Sequence, residues 1–474
     1  MLQRKIGRLS LFFITVNAIL GTGIFFLPAI GARYAGSASL FSWAIMGVIA
    51  LLMSLVFAEL VSLYPKAGGV FQYTKMAFGE FPAFTVGWIS WIVANITISM
   101  LVVGSLLYLI PDASIGIHLG LSLVFILFFN FVSYRGISFS SKMLAAFGFL
   151  TLLAVVVLAI PGAFTFSTAN FADIFSFPTM SVLLAVYFIS ETFFGWETAA
   201  YLSEEIKNAR RVLPRMMVVT TAVITGVSLL LVFLSIGGVG ADVLGSYDSI
   251  NFLLPFYYGS AGPILAFFVF LPLIGTAASW IVSSPRLLYA MARDKVLIHR
   301  FTELHSVYKT PHQAIAFQTG VSMILTIIAF GNYFTLLSLL VPLVMIMYSI
   351  AFLSMVKLRF SKPHAQRSFI VPFGKVLPIA LVAVSAVFLV VWVVSVSSAV
   401  SLFLLGLILA FLGLPLYILI KLQVDSSFVA SFFDRISWLW DLLVTHCYDR
   451  DERTGVVPRL NVPRKSNVLD FGCG

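Results

Sequence analysis

Three carboxylates stand within long apolar stretches of this sequence and are its best candidates for chemistry: Glu59, Glu191 and Glu197. An ionisable side chain in such a stretch is costly to keep, so a function is its default interpretation. Glu191 and Glu197 flank a Gly-Trp pair in ISETFFGWETAAY (189–201), whose polar residues and glycine weaken a continuous helix. Glu59 lies toward the end of its stretch, where a structural pair with a loop base is the favoured role.

A matching weak point, LGTGIFFLP (20–28), occurs in the first apolar stretch. Gly21 and Gly195 stand at corresponding places in two successive sets of five stretches, the pattern of inverted repeats that each contribute a broken helix to a midplane site. The N–H groups at such a break bind a carboxylate and its carbonyls bind an ammonium, so an amino acid or amine fits both ends. The alternative is that Gly21 and Gly23 only allow close helix packing.

The composition requires lipid around most of the chain. Of 474 residues, 60% are hydrophobic and 10% are charged, and the mean hydropathy is +1.05. Too little polar sequence exists to cover one water-soluble core. The net charge of +10 does not indicate nucleic acid, because the basic residues lie in loops. Both cysteines, Cys447 and Cys473, follow the apolar part, which therefore holds no disulfide framework or cysteine metal site.

The apolar stretches predict an all-α, multi-pass membrane protein with twelve transmembrane helices, since a bilayer requires about 20 apolar residues per helix. Their approximate bounds are 10–33, 40–63, 84–110, 117–134, 143–162, 179–203, 216–238, 262–290, 314–330, 334–357, 376–396 and 399–421. With the N-terminus inside the cell, Arg33 is the one basic residue placed outside, as the positive-inside rule expects. Both termini are therefore expected on the cytoplasmic side of the plasma membrane.

Several short motifs follow one another along the chain: GTGIF (21–25) with Pro28; AEL (58–60) and YPKAGG (64–69); GWE (195–197), EEIKN (204–208) and Pro214; and RLLYAMARD (286–294) with Thr310-Pro311. Together they resemble the amino acid-polyamine-organocation (APC) permeases over about residues 4–421. The resemblance implies a LeuT-type fold of five plus five inverted-repeat helices, with helices 1 and 6 broken and two helices appended. We therefore expect a permease membrane domain over 1–423 and a cytoplasmic tail over 424–474.

The resemblance implies main-chain roles at the two breaks. The backbone of Thr22, Gly23 and Ile24 would hold a substrate carboxylate. Carbonyl groups near four residues would hold its amino group: Ala18, Ile19, Phe188 and Ile189.

Site-lining side chains are implied at Asn95, Trp196 and Trp280. Asn95 and Trp280 look like the site-lining Asn and Trp of the antiporter branch that handles arginine, agmatine and polyamines. The residues by themselves leave two alternatives open: Asn95 as a hydrogen-bonding link between helices, and Trp280 as an interface or packing aromatic.

Two positions depart from the family. Glu191 stands where an aromatic gate is usual, so it would hold a cationic group, carry a coupling proton, or make an internal hydrogen bond, for example to a tyrosine. Glu197 matches a family acid linked to proton-dependent steps. Thr151 stands where many proton-driven members have a Lys, which leaves coupling through Glu191 or Glu197, cation coupling with Thr151 near the ion, or exchange without an ion.

The tail has a soluble-like composition after Lys421. Its segments FDRISWLWDLL (433–443) and NVLDFGCG (467–474) resemble the opening of a class I S-adenosylmethionine-dependent methyltransferase, truncated at the Gly-rich loop. No methyl transfer is expected from so short a piece. The alternatives are an amphipathic helix over 426–448 on the membrane surface and a plug over the cytoplasmic mouth.

The leading functional interpretation is a secondary transporter, a permease or antiporter, that moves amino acids or related amines by alternating access, with a lean toward cationic ones. The alternative is a transporter-like sensor or assembly subunit that binds without transport. An enzyme is not expected, because no hydrolase triad, P-loop or metal-spaced histidine cluster occurs. The expected partners are the substrate and the lipid bilayer, with no cofactor, metal or nucleic acid; coupling to H⁺ or Na⁺ and homo-oligomerisation stay open.

Overall fold

The computed structural model of the protein describes residues 5–329, 333–424 and 429. Within these residues the chain is helical, and a bridge between Ile6 and Ile206 is its one β-type pairing. The α-helices in chain order are α1 (Arg8–Ile19), α2 (Gly23–Ala35), α3 (Ser39–Leu63), α4 (Val70–Phe78), α5 (Glu80–Leu109), α6 (Ile115–Arg135), α7 (Ile137–Phe164), α8 (Thr179–Ile189), α9 (Trp196–Tyr201), α10 (Ala209–Val239), α11 (Ala241–Gly245), α12 (Leu253–Tyr258), α13 (Gly262–Ser283), α14 (Pro285–Arg293), α15 (His312–Ala329), α16 (Tyr333–Ser361), α17 (Val376–Ser395), α18 (Ala399–Phe411) and α19 (Gly413–Val424). The predicted all-α class is confirmed for the described chain.

Ten stretches of the described chain are long and apolar enough to cross a membrane. The longest, Arg8–Leu63, has 56 residues and contains α1, α2 and α3, whereas the 18-residue α15 is not among the ten. A helix satisfies its own backbone hydrogen bonds, so helices of this hydropathy suit a bilayer core. A multi-pass membrane protein is thus supported, and the count of twelve spans stays a prediction.

The chain divides into two compact units, Met1–Gly413 and Leu414–Gly474. In the second unit the structure describes residues 414–424 and 429. The two tail segments with methyltransferase-like sequence, 433–443 and 467–474, lie outside the described residues, as does most of the amphipathic alternative over 426–448. The predicted domain boundary at 423/424 stays a prediction.

Within the first unit, α5 is buried along most of its length. Helix α13 packs on both α5 and α7, α1 packs on α7, and α10 packs along α3. Other helices turn large apolar side chains outward, among them Phe128 on α6, Phe149 on α7 and Val390 on α17, each more than half exposed. Such an apolar exterior suits lipid rather than water. The interrupted pairs α1–α2 and α8–α9 contact α3, α5, α13 and α16 inside this shell.

Candidate functional site

The first break lies between α1 and α2, at residues 20–22. The Leu20 N–H still bonds to the Val16 carbonyl, and the Phe25 and Phe26 N–H groups bond to the Thr22 carbonyl. Among the described residues, the N–H groups of positions 21–24 have no hydrogen-bond acceptor. The start of α2 therefore presents free N–H groups at the place that the sequence predicted.

The second break lies between α8 and α9. After Ile189 the chain makes a 3₁₀ turn over Ser190–Phe193, and Gly195 follows with φ +128°, a conformation that L side chains rarely adopt. A Cβ on Gly195 would stand 2.5 Å from the Ala18 carbonyl oxygen. Backbone conformation and space both require glycine here, so this break also occurs where the sequence predicted it.

The two breaks touch each other. A Cβ on Gly23 would collide with the Glu191 carboxylate and with Thr192, both on the second break. Gly195 in turn rests on the backbone of Ala18 and Ile19. Gly23 and Gly195 therefore do allow close packing, as the alternative interpretation of the glycines expects. The surfaces that pack are the two helix breaks themselves.

Gly21 differs from Gly23 in its neighbours. A Cβ on Gly21 would lie 3.1 Å from Leu101 on α5 and 3.4 Å from Thr276 on α13, with the Glu191 carboxylate 4.0 Å away. Gly21 thus lets α5 and α13 approach the first break, in the manner of small residues at membrane helix contacts.

A small cavity of about 10 Å³, the size of one water molecule, lies against both breaks. Its lining residues are Ala18, Ile19, Gly21, Thr97, Leu101, Glu191, Phe194, Thr276, Trp280, Leu340 and Val344. Glu191 is the one ionisable residue in this set and is 6% exposed. Its Oε2 atom has no hydrogen-bond partner among the described residues.

Comparisons with known proteins identify this helical architecture. An amino acid permease family model matches residues 6–414. The chain belongs to the amino acid permease family. One relative, the serine/threonine exchanger SteT of Bacillus subtilis (strain 168), is 25% identical over 430 residues, which cover 88% of this chain and 96% of SteT.

Two further relatives of this permease cover similar shares. The branched-chain amino acid permease BcaP of Bacillus subtilis (strain 168) is 25% identical over 449 residues, 87% of this chain and 93% of BcaP. The human b(0,+)-type amino acid transporter 1 is 27% identical over 414 residues, 82% of each chain. The predicted APC membership is therefore confirmed. The family match ends at residue 414, and the comparisons do not support the methyltransferase-like tail.

Four of the predicted site residues line the cavity of this permease: Ala18, Ile19, Glu191 and Trp280. Sequence reasoning did not single out Thr97 or Thr276, because a threonine in a membrane helix commonly bonds its own backbone. Both do so here, to carbonyls four residues earlier, at 2.8 Å for Thr97 and 3.2 Å for Thr276. Thr97 and Thr276 lie beside the cavity because of how their helices pack, and the local sequence around each threonine does not indicate that packing.

Asn95 and Trp196 are placed away from the cavity lining. The Asn95 amide donates to the Trp91 carbonyl at 2.8 Å and accepts from the Ser322 hydroxyl of α15 at 2.8 Å. The Trp196 indole is fully buried and donates to Thr221 of α10 at 2.8 Å. The contacts of Asn95 correspond to the alternative in which it links two helices, and the site roles of both residues stay predictions.

The other predicted residues have these neighbours. Ile189 touches Gly31 of α2, and the Phe188 ring stacks on Tyr34 at 5.3 Å. Ile24 is fully buried within the first turn of α2. The Thr151 hydroxyl donates to the Phe147 carbonyl on its own helix at 2.9 Å. None of these contacts tests a role in binding or coupling.

Tyr348 of α16 joins the second break to Glu197. Its hydroxyl donates to the Glu197 carboxylate and accepts from the Gly195 N–H at 3.2 Å. A tyrosine hydrogen bond, of the kind considered as an alternative for Glu191, is thus found at Glu197. Glu191 and Glu197 lie six residues apart, yet Glu197 is hydrogen-bonded while the Glu191 Oε2 atom has no partner among the described residues.

Tyr333, the first residue of α16, contacts the first break. Its hydroxyl lies 3.2 Å from the Thr22 hydroxyl, and its ring stacks on Phe26 at 4.4 Å. Both rings also line a cavity of about 610 Å³, which includes His118 and Asp248. A stacked pair of rings thus stands between this large cavity and the first break.

Ion pairs join residues in or next to the loops for which the sequence predicts a cytoplasmic location. They are Lys75 with Asp294 (2.9 Å), Arg293 with Glu204 (2.8 Å), Arg286 with Glu205 (3.4 Å), and Glu59 with both Arg359 (3.0 Å) and Arg367 (3.0 Å). The structural pair expected for Glu59 with a loop base is confirmed by Arg367. Burial raises the pKa of the Glu205 carboxyl, and the charge of Arg286 opposes that rise.

Proposed function

We propose that this permease is a secondary transporter that moves amino acids or related amines, with a lean toward cationic ones, by alternating access. The observation that carries the proposal is the contact between two helix breaks around a cavity in which Glu191 is the one ionisable lining residue among those described. A bilayer midplane offers no water to charged cargo, so broken helices must supply the polar groups.

The proposed architecture has twelve membrane helices, with a LeuT-type inverted repeat in the first ten. The breaks after Ile19 and Ile189 support it, since each falls in the first helix of a predicted five-helix set. We assign the permease membrane domain to 1–423 and a cytoplasmic tail to 424–474. Both termini are then cytoplasmic, and homo-oligomerisation stays open.

The chemistry of the chain ends at each helix break indicates which charged group of the cargo would bind there. The free N–H groups of Thr22, Gly23 and Ile24 suit an anion, because the N-terminus of α2 carries a partial positive charge. Carbonyls near Ala18, Ile19, Phe188 and Ile189 suit an ammonium. Glu191 supplies a counter-charge for a cationic group, and Trp280 offers a ring against which that group can lie.

Access to the site alternates between the two ends of the bundle. Four sets of interhelical ion pairs support closure at the predicted cytoplasmic end, and the cavity of about 610 Å³ supports access from the opposite side as far as Phe26 and Tyr333. For coupling we retain Glu191, Glu197 and Thr151 as the candidate groups, with H⁺, another cation, or exchange as the driving partner.

Uptake into proteoliposomes tests the proposal. The radiolabelled panel is arginine, lysine, a polyamine, leucine, serine and glutamate, each with and without a pH gradient, a sodium gradient or internal substrate. Saturable uptake of any member supports a transporter, and dependence on internal substrate marks an exchanger. Saturable binding without uptake under every condition would contradict transport and favour a sensor or assembly subunit.

A further inference from the structure

The Glu191 carboxylate lies beside the N-terminus of α2, a position at which a helix favours an anion. Its Oε2 atom lies against the Cα of Gly23, the first residue of α2, and its Oε1 atom faces Gly21. Helix α2 has 13 residues, and the N–H groups of positions 21–24 have no acceptor among the described residues. A carboxylate of the protein itself therefore already lies beside the positive end of this helix dipole, without a hydrogen bond from its N–H groups among the described residues.

Among the described residues, no cation lies beside this carboxylate in the small cavity. No Lys, Arg or His lines the small cavity within the described part of the chain. Glu191 is more than nine-tenths buried, and its Oε2 atom has no hydrogen-bond donor among the described residues. Glu197 differs, because the Tyr348 hydroxyl donates to it. A buried carboxylate without a partner is costly, so a ligand that brings a positive charge would be favoured at Glu191.

We infer that Glu191 is a built-in substitute for the cargo carboxylate, so that the preferred cargo is an organic amine without a carboxylate of its own. This inference rests on the proposed function. Of the two cargo classes proposed there, amino acids and related amines, it selects the amines. An amino acid would have to place its carboxylate at N–H groups that lie next to the Glu191 carboxylate. Two carboxylates so close repel each other strongly in a water-poor site, whereas an ammonium pairs with Glu191.

Matched pairs of compounds test the inference in the wild-type protein. Lysine is compared with cadaverine, which lacks the carboxylate, and leucine with leucinamide, which keeps the size but loses the negative charge. We measure kcat/KM for uptake into proteoliposomes, corrected with protein-free liposomes, and stabilisation of the detergent-solubilised protein by each compound. We expect a preference of roughly tenfold or more for the member without the carboxylate in at least one pair, as one close like-charge contact implies.

The variant Glu191→Gln tests the cause of the preference. It keeps the shape of the side chain and removes the negative charge, so the preference should fall by roughly tenfold or reverse toward lysine and leucine. Glu191→Asp keeps the charge and should retain the direction of the preference. Asp173→Asn is the matched control, because Asp173 is an exposed loop acid outside the small cavity and its loss should leave the ratio unchanged.

Each outcome is decisive. A wild-type preference for lysine over cadaverine and for leucine over leucinamide overturns the inference while leaving the transport function intact. An unchanged ratio in folded Glu191→Gln also overturns it. If Glu191→Gln does not fold, the wild-type ratios decide. Stabilisation by the amines without any uptake would support the inference and contradict the transport function. If the amines neither stabilise the protein nor are taken up, the inference and the transport function are both overturned.

Discussion

The Tyr348→Phe variant isolates the hydrogen bonds that hold the second break. It removes a hydroxyl that donates to the Glu197 carboxylate and accepts from the Gly195 N–H, and it keeps the ring in contact with Phe57 at 4.8 Å. Each buried group left without its partner costs about 1–3 kcal/mol. The two losses together predict a decrease of about 2–6 kcal/mol in the free energy of unfolding.

Reversible unfolding in mixed detergent micelles measures this change. Tyr73→Phe is the matched control, because Tyr73 is fully buried and its hydroxyl has no hydrogen-bond partner among the described residues. Its free energy of unfolding should stay the same or rise slightly. Uptake should fall in Tyr348→Phe and persist in Tyr73→Phe, since only the first loosens a helix break.

A double-mutant cycle assigns the loss to the Glu197 contact. Glu197→Gln and Tyr348→Phe are combined, and the coupling energy should be at least about 1 kcal/mol, as expected for directly bonded partners. The stabilising role of the Tyr348 hydroxyl is refuted if Tyr348→Phe is no more destabilising than Tyr73→Phe. The assignment of the loss to the Glu197 contact is equally refuted if the two changes at the second break add to within about 0.5 kcal/mol.

Three other perturbations address the remaining contacts. Gly23→Ala should abolish uptake because its methyl group meets the Glu191 carboxylate. The control Gly226→Ala should transport normally, because Gly226 is on an exposed part of α10 and a Cβ there would meet no described atom within 4 Å. Equal uptake by the two variants would contradict contact between the breaks. Arg286→Leu should lower the free energy of unfolding by about 3–5 kcal/mol, since it leaves Glu205 buried without its cation, and adding Glu205→Leu should restore part of that loss; no recovery would argue against the pair. Ser322→Ala should cost about 1 kcal/mol in unfolding without altering the order of preferred substrates, and a changed order in the uptake panel would instead place Asn95 at the site.

The positions of the breaks could be predicted from sequence because their causes are local. Glycine and polar residues at 20–23 and 190–195 weaken a helix wherever it packs. The partners at the breaks could not be predicted in the same way. The tyrosine that bonds Glu197 is 151 residues away, and the serine that bonds Asn95 is 227 residues away. The rotation of α16 and α15 about their axes decides which acid or amide each helix contacts. The sequence of a membrane helix encodes that rotation weakly, because nearly every position is apolar.

Contact between the breaks also constrains how cargo enters. A cavity of about 10 Å³ has room for about one water molecule, so a ligand must separate the breaks or move the Glu191 side chain. Gly23 and Gly195 give the contact no side chain of their own, so little apolar surface holds the breaks together. A ligand shifts an equilibrium between two conformations only by the difference in its affinity for them. The energy to part the breaks must therefore come from a higher affinity of the cargo for the conformation with separated breaks than for the one with touching breaks. A charge on the cargo that meets Glu191 only after the breaks part would supply it, which places the selectivity of this permease in the separated state.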